Sequence, residues 1–425
     1  MLAIIDGVRT PFCKAGGRLS GWDADDLGAF VTREVIARTG ISPGDVDEVI
    51  FGNVAQPAHA ANVARVIALK AGLPESTVAH TVQRNCASGM QSFATAAMQI
   101  ETGESELILV GGAESMSNIP LLFGDDMTRL FAGLFKAKTA GQRLKTLATF
   151  RPSFLKPIIG IQLGLSDVYC GLNMGQTAEI LAREFGITRA DQDQFALMSH
   201  ERAVAAQKAG RFSQELFPIF DDRYTSTLDA DDGPRDGQTL EALAKLRPYF
   251  DRHAGTVTVG NACPITDGAA AMLVASPKRA KELGLEPIGY MTGYAFAALA
   301  GSHMGLGPAY ATAKLFEKTG MKLGDFDIIE LNEAFAAQVI ANERAFASQE
   351  FARKHLGRKK ALGQIDRERL NVNGGAIAFG HPVGATGTRL ILTALHELKR
   401  RGGAKALATL CIGGGQGAAI ALEAA

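Results

Sequence analysis

Cys86 lies in the stretch Arg84-Asn85-Cys86-Ala87-Ser88-Gly89-Met90-Gln91-Ser92, just ahead of a helical run from Gln91 to Ile100. At a helix N-terminus the unpaired backbone N–H groups and the positive end of the macrodipole favour a thiolate over a thiol. The thiolate is the nucleophile of covalent catalysis, so this placement predicts an acylatable cysteine. His381 sits between glycines in Asn373-Gly374-Gly375-Ala376-Ile377-Ala378-Phe379-Gly380-His381-Pro382-Val383-Gly384-Ala385-Thr386-Gly387, at the entrance to a helical run from Leu390 to Leu398. The glycines permit close backbone approach, and a neutral imidazole there can polarise a thiol or donate to a developing oxyanion. The other seven histidines read as structural or exposed.

Two further segments carry candidate chemistry. Cys411 ends an apolar strand and precedes Ile412-Gly413-Gly414-Gly415-Gln416-Gly417. It reads equally as a buried small hydrophobe or as a thiol that shuttles a proton beside a glycine turn whose N–H groups hold an oxyanion. Asn332 opens Asn332-Glu333-Ala334-Phe335-Ala336-Ala337-Gln338 after the strand Ile328 to Leu331. At that place an asparagine is most often a helix N-cap, and the other reading is that it positions a water or a carbonyl oxygen. Cys13, Cys170 and Cys263 read as incidental. No Gly-x-x-x-x-Gly-Lys-Ser/Thr phosphate loop and no metal-ligand constellation occurs.

The elements that must position these residues repeat. Thr39-Gly40-Ile41-Ser42-Pro43-Gly44-Asp45-Val46-Asp47 aligns with Thr319-Gly320-Met321-Lys322-Leu323-Gly324-Asp325-Phe326-Asp327 at an offset of 280, identical at five of nine positions. Each copy follows a helical pattern (Leu27 to Arg38; Tyr310 to Lys318) and precedes a strand (Val49 to Phe51; Ile328 to Leu331). A second echo follows in the same order. The helix after Ala87 leads to the strand Leu107 to Val110 and Gly111-Gly112, and the helix from Ala385 leads to the strand Ala406 to Leu410 and Gly413-Gly414-Gly415. Alternating strands and helices imply a layered α/β protein. The opening residues Leu2 to Ile5 read as a buried strand leading into an Asp6-Gly7 turn.

At 425 residues, with 47% apolar and 21% charged residues, the chain exceeds a single core and is expected to form more than one unit. A net charge of zero without a basic tail argues against nucleic acid as a partner. Five unpatterned cysteines make no disulfide framework and point to a reducing compartment, the cytoplasm. No signal peptide or membrane-spanning run is read. Between the repeats lies a different region, about Ser117 to His253. Within it, Met127 to Ser166 carries seven basic residues and no acidic one, interleaved with Leu130, Leu134, Phe135, Leu144 and Leu147. Such a stretch either covers the protein's own core or meets an acidic membrane surface or partner.

Together, Asn85-Cys86-Ala87-Ser88-Gly89, Asn332-Glu333-Ala334-Phe335, Gly380-His381-Pro382 and Cys411-x-Gly-Gly-Gly resemble the thiolase family. The resemblance extends from Asp6-Gly7-Val8-Arg9-Thr10-Pro11-Phe12 to Gly255-Thr256-Val257-Thr258 and Asp267-Gly268-Ala269-Ala270, nearly the whole chain. It implies a duplicated five-layer α/β/α/β/α architecture with an inserted loop domain: residues 1–116 and 254–276 as one half, 117–253 as the insert, and 277–425 as the other half. It implies a homodimer or homotetramer, CoA thioesters as substrates, and no metal or prosthetic group. By resemblance, Cys86 attacks the C3 carbonyl of a 3-ketoacyl-CoA, His381 activates it, and Asn332 holds a water. Cys411 protonates the leaving enolate, and backbone N–H groups of Cys86 and Gly413 hold the oxyanion.

Departures from the family pattern bear on substrate. Short-chain biosynthetic members typically carry histidine where this chain has Asn173 before Met174-Gly175, and serine where it has Cys263. The basic segment, residues 127–166, resembles the enlarged loop of thiolase subunits in fatty-acid β-oxidation complexes, which meets a partner subunit or a membrane. Those subunits often have His-Glu-Ala-Phe where Asn332-Glu333 stands here. Degradative thiolysis of medium or long acyl chains is the expectation. The alternatives are acetyl-CoA C-acetyltransferase condensation and a non-catalytic CoA- or lipid-binding scaffold.

Overall fold

The computed structural model describes residues 1–221, 223 and 225–425. Two sets of strands share one internal order. The first comprises β1 (Leu2–Arg9), β2 (Glu48–Gly52), β3 (Val78–Val82), β4 (Leu107–Glu114) and β5 (Thr266–Ala275), hydrogen-bonded in the order β1-β5-β4-β2-β3. The second comprises β6 (Gly289–Ala298), β7 (Ile328–Leu331), β8 (Lys405–Ile412) and β9 (Gln416–Ala424), in the order β6-β9-β8-β7. Parallel pairing occurs at β2 with β3 and β4, and at β7 with β8. The place of β3 is taken in the second set by a parallel bridge between Ile329 and Leu370. The sets join where Leu2, Ala3 and Ile4 pair with Met291, Tyr290 and Gly289.

Helices cover every face of this assembly, and so most strands are continuous buried runs. On the outer face of the first set, α1 (Ala24–Thr39) and α2 (Val63–Lys70) pack Leu27, Val31, Val35 and Ile67 against Val49, Phe51, Leu107 and Leu109. Side chains alternate along a strand, so Ile108 and Val110 of β4 point the other way, into the central layer. There α3 (Ser88–Thr102) and a long C-terminal helix (Val383–Arg401) contribute Met90, Phe93, Ile391 and Leu392 between the two sets. The outer face of the second set is covered by α4 (Met174–Glu184), α5 (Arg189–Lys208), α6 (Gly307–Thr319) and α7 (Ala336–Ala347). The long C-terminal helix is α8. The layers are α/β/α/β/α.

The sequence echo has a capping origin. Gly40 and Gly320 end α1 and α6 in the left-handed conformation, at φ 66° and 74°. Asp47 then accepts the N–H groups of Glu106 and Leu107, and Asp327 those of Ala404 and Lys405. Each aspartate ties the start of its β2-type strand to the start of the neighbouring β4-type strand.

Three expectations change. Asp6-Gly7 is no turn: β1 runs through it with a bulge between Ile4 and Asp6. Gly7 is small because a Cβ there would lie 2.5 Å from the side chain of Met272, its partner on β5. Gly111 and Gly112 lie inside β4 rather than beyond it. The basic segment does not fold as a cover. Helices Asp125–Lys136 and Ala140–Leu147 and the paired strands Leu121–Phe123 and Pro157–Ile159 bury Met127 and Leu130, but leave Phe131, Phe135, Leu144 and Leu147 exposed.

The α3–α8 contact and its strand supports are built from residues without side chains. A Cβ on Gly112 would collide with the carbonyl oxygen of Gly384. Gly112→Ala is therefore expected to lower the unfolding free energy by about 1–3 kcal/mol through overpacking. Urea titration checks this, and an unchanged midpoint would show that the seam has slack.

Candidate active site

The nucleophile stands on a tight turn. Asn85 adopts φ 44°, a left-handed conformation that asparagine tolerates better than most residues. Its side-chain amide donates to the Gly413 carbonyl at 2.8 Å. Ser88 closes the turn, accepting from Arg84 N at 2.9 Å and donating to Asn85 O at 2.7 Å. This geometry fastens the start of α3 to the glycine turn after β8. The backbone N–H groups of Gly413 and of Cys86 both favour the Cys86 thiolate.

The resting thiolate expected from helix position is corrected here. Burial pushes the Cys86 thiol above its ordinary value; the two N–H groups oppose this, and the charge of Glu114 adds to it. Desolvation outweighs the helix end. Cys86 rests as a thiol and needs a base.

His381 follows Gly380, whose φ of 100° only glycine adopts readily. The His381 N–H donates to Thr266 Oγ1 at 3.1 Å. Its ring Nδ1 is 2.6 Å from Thr386 Oγ1, and that hydroxyl donates to the Pro382 carbonyl at 2.9 Å. With the hydroxyl proton committed, Nδ1–H is the donor in the ring contact. The Nε2 lone pair then faces the site, 3.5 Å from Asn332 Nδ2. Burial first, and Arg389 second, pull the imidazole down to about 3, so it is neutral at physiological pH.

Asn332 is not an N-cap: α7 begins at Ala336 and Phe335 takes the capping position. Asn332 is fully buried, its N–H donates to Thr409 O at 3.0 Å, and its side-chain Oδ1 has no partner among the described residues. A buried amide oxygen left unpaired is costly, which makes it a ready acceptor for a water or a substrate donor. The adjoining Glu333 carboxylate accepts from Ser199 Oγ at 2.6 Å, Asn371 Nδ2 at 2.8 Å and Ile377 N at 3.2 Å. Those bonds fix the end of β7.

Cys411 is buried in the penultimate position of β8. Burial pushes its thiol well up, and the charges of Cys86 and Cys263 add to the effect, so it holds its proton firmly. Cys263, read as incidental from sequence, belongs to the same neighbourhood; burial and the charge of Cys86 push it up to about 12. The fold thus brings Cys86, Cys411 and Gly413 together from distant segments, and pairs His381 with Asn332 across 49 residues of chain. Thr386, Thr266, Ser199 and Asn371 were not singled out by sequence reasoning. Nothing in their spacing marks Thr266, Ser199 and Asn371, because each acts across elements, whereas Thr386 reaches back only five residues to His381. Among the described residues one triad has metal-ligand proximity, Asp23, Asp25 and His59, and Asp25 is already paired with Lys70 at 2.6 Å.

A neutral thiol beside a neutral imidazole has a pH signature. The Cys86-dependent rate of alkylation by iodoacetamide is expected to keep rising through about pH 9 with no step at the ordinary histidine value of 6.5. A plateau below about pH 8 would mean a stabilised thiolate. Because the folded imidazole protonates less readily than the free one, its contribution to stability is present above 6.5 and is lost as pH falls toward about 3.

Comparison with known proteins places this geometry. Residues 2–278 match the thiolase N-terminal domain and residues 285–424 the thiolase C-terminal domain. A 3-ketoacyl-CoA thiolase of Shewanella halifaxensis is 43% identical over 423 residues, covering 99% of this chain and 96% of the relative. One from Pectobacterium carotovorum is 44% identical with the same coverage. Among solved structures, the Bacillus anthracis acetyl-CoA acetyltransferase has a TM-score of 0.86 at 38% identity, covering 100% of this chain and 98% of its own. Human mitochondrial 3-ketoacyl-CoA thiolase, also solved in complex with CoA, has a TM-score of 0.86 at 36% identity with the same coverage. With both domains matched in order across a duplicated α/β/α/β/α fold, the chain belongs to the thiolase family of acyltransferases.

Proposed function

We propose that this enzyme cleaves 3-ketoacyl-CoA with CoA, releasing acetyl-CoA and an acyl-CoA two carbons shorter, in fatty-acid β-oxidation. The carrying observation is a Cys86 thiol whose ionisation the Cys86 and Gly413 N–H groups favour, coupled to a second, protonated thiol at Cys411, together with a neutral imidazole held 3.5 Å from the Asn332 amide. His381 Nε2 takes the Cys86 proton as the sulfur attacks the C3 carbonyl. The C2–C3 bond then breaks and its electron pair passes to C2 as the enolate of acetyl-CoA. His381 and a water held by Asn332 stabilise the enolate oxygen. Cys411 gives its proton to C2, leaving Cys86 acylated and Cys411 as a thiolate.

In the second half-reaction Cys411 takes the proton of incoming CoA, whose sulfur attacks the acyl-cysteine. The N–H groups of Cys86 and Gly413 hold the oxyanion. Collapse expels the Cys86 thiolate, which regains the proton held by His381. Each group ends as it began, and no metal or prosthetic group takes part. The solved acetyltransferase with the same fold supports a second reading, condensation of two acetyl-CoA molecules.

The division into residues 1–116 with 254–276, 117–253, and 277–425 is part of this reading, supported by the two strand sets. A homodimer or homotetramer is supported by β3, which ends its sheet with no further strand beside it among the described residues. A cytoplasmic setting fits the bacterial relatives, and among the described residues no helix is long and apolar enough to cross a membrane. The segment around residues 127–166 is read as a docking face for an anionic lipid surface or an acidic face of a β-oxidation partner subunit. Phe135 is 95% exposed, in a segment whose sequence carries seven cationic side chains and no acidic one.

Side-by-side thiolysis of acetoacetyl-CoA and 3-ketohexadecanoyl-CoA is expected to favour the longer substrate, with Cys86→Ala reducing both to background. Activity confined to acetoacetyl-CoA would instead support the condensing enzyme. Reversing Lys136, Lys138, Arg143 and Lys145 to glutamate is expected to weaken co-sedimentation with anionic vesicles or capture by the partner subunit at least about tenfold. Acetoacetyl-CoA turnover should stay intact. Unchanged association in both assays removes the docking face.

A further inference from the structure

Glu114 is the last residue of β4 and is buried. Four N–H donors meet at its carboxylate. Asn53 Nδ2 at 3.3 Å and Ala55 N at 2.9 Å donate to Oε1. Val54 N at 3.1 Å and Gly384 N at 2.8 Å donate to Oε2. The first three belong to the segment leaving β2, and the fourth to the first turn of α8. Burial pushes the carboxyl up to about 7 against the pull of the backbone donors. The reaction steps above make no use of it.

The repeat shows what this carboxylate replaces. Helices α3 and α8 pack reciprocally at their first turns. A Cβ on Gly89 would stand 2.7 Å from Thr388 N, and one on Gly387 would stand 2.5 Å from Met90 N. Matching Gly89-Met90 to Gly387-Thr388 aligns Cys86 with Gly384. One helix start therefore presents the nucleophile, while the equivalent start is closed by an internal carboxylate. Gly384 also stands between His381 and Thr386, the pair whose contact fixes the imidazole.

Resting on the thiolase reading, we propose that Glu114 is a positioning residue for thiolysis: by binding Gly384 N–H to the segment leaving β2, it sets His381 and Thr386 against Cys86. The carboxylate touches neither reacting atom. It acts through the register of the Gly380–Thr386 segment, and it is suited to this because a carboxylate accepts on both oxygens and donates nothing.

The test uses the full chain with Glu114→Gln and Glu114→Asp. The glutamine keeps size but replaces one acceptor with an NH2 that faces donors, whereas the aspartate keeps charge and draws back by one methylene. Expected for Glu114→Gln is a fall in kcat of about 100-fold, with KM for both substrates within about twofold. Slower Cys86 alkylation at pH 8 and a smaller loss of kcat in Glu114→Asp are expected with it. Charge alone predicts the opposite for alkylation, since removing an anion near Cys86 eases its ionisation. Wild-type kcat in a variant that melts earlier would overturn the proposal in favour of a merely structural role, and faster alkylation would overturn it in favour of a purely electrostatic one. Should Glu114→Gln fail to fold, the kcat and KM of Glu114→Asp decide in the same way. Alkylation needs no turnover, so an inactive wild-type chain would sink the thiolase reading while still testing Glu114.

Discussion

Two helix N-termini are brought into contact in the middle of this fold, and the rest of the molecule is arranged around that approach. α3 and α8 meet through Gly89 and Gly387, with Gly52 and Gly112 of the strands lying against Ser88 and Gly384 where no Cβ fits. The positive ends of two macrodipoles are thereby held close together, which is unfavourable unless negative charge lies nearby. At α8 the acceptor is internal, the Glu114 carboxylate on Gly384 N–H. At α3 it is absent at rest. That vacancy of charge is what an oxyanion at Cys86 fills.

The resting pocket is correspondingly neutral. Burial keeps Cys86 and Cys411 protonated and His381 unprotonated, each by the same desolvation penalty acting on opposite charge types. Charge appears only as bonds rearrange, and it appears where N–H groups already point, so little reorganisation is needed. The ion pair nearest in chain to this machinery, Arg389 with Glu330 at 2.7 Å, is fully buried behind it and depresses His381 further. Its Arg389 Nε and Glu330 Oε1 have no partner among the described residues, so it is held by the fold more than it holds the fold.

How much of this was legible in the sequence depended on whether the physics was local. The duplication could be read because its signature is a capping sequence: a left-handed glycine and an aspartate that must receive two N–H groups occur in both copies. The principal site residues were legible because glycine-rich turns beside cysteine or histidine are rare without a reason. Local reasoning failed wherever a residue answered to a distant neighbour. Gly7 looked like a turn and is a clearance for Met272 on β5; Asn332 looked like a cap and is an interior amide; Cys86 looked like a thiolate until its burial was known. Glu114 gave no signal at all, since its bond to Gly384 is set by the packing of two halves rather than by spacing.

The same seam explains why a duplicated chain carries one active site instead of two. Strand order, caps and the aspartate clamps are common to both halves, so a second helix start of similar geometry exists by construction. In the first half the turn before the helix is short, and Cys86 sits directly on it; in the second, the helix Ala376–Phe379 and the Gly380-His381-Pro382 loop intervene before α8 begins. That insertion carries the imidazole across the seam to the other half's nucleophile. The aligned position is left as glycine with its N–H bound internally. Each half alone has either a nucleophile without a base or a base without a nucleophile. Catalysis therefore depends on the seam being rigid, and a rigid seam requires the side-chain-free contacts from which it is made.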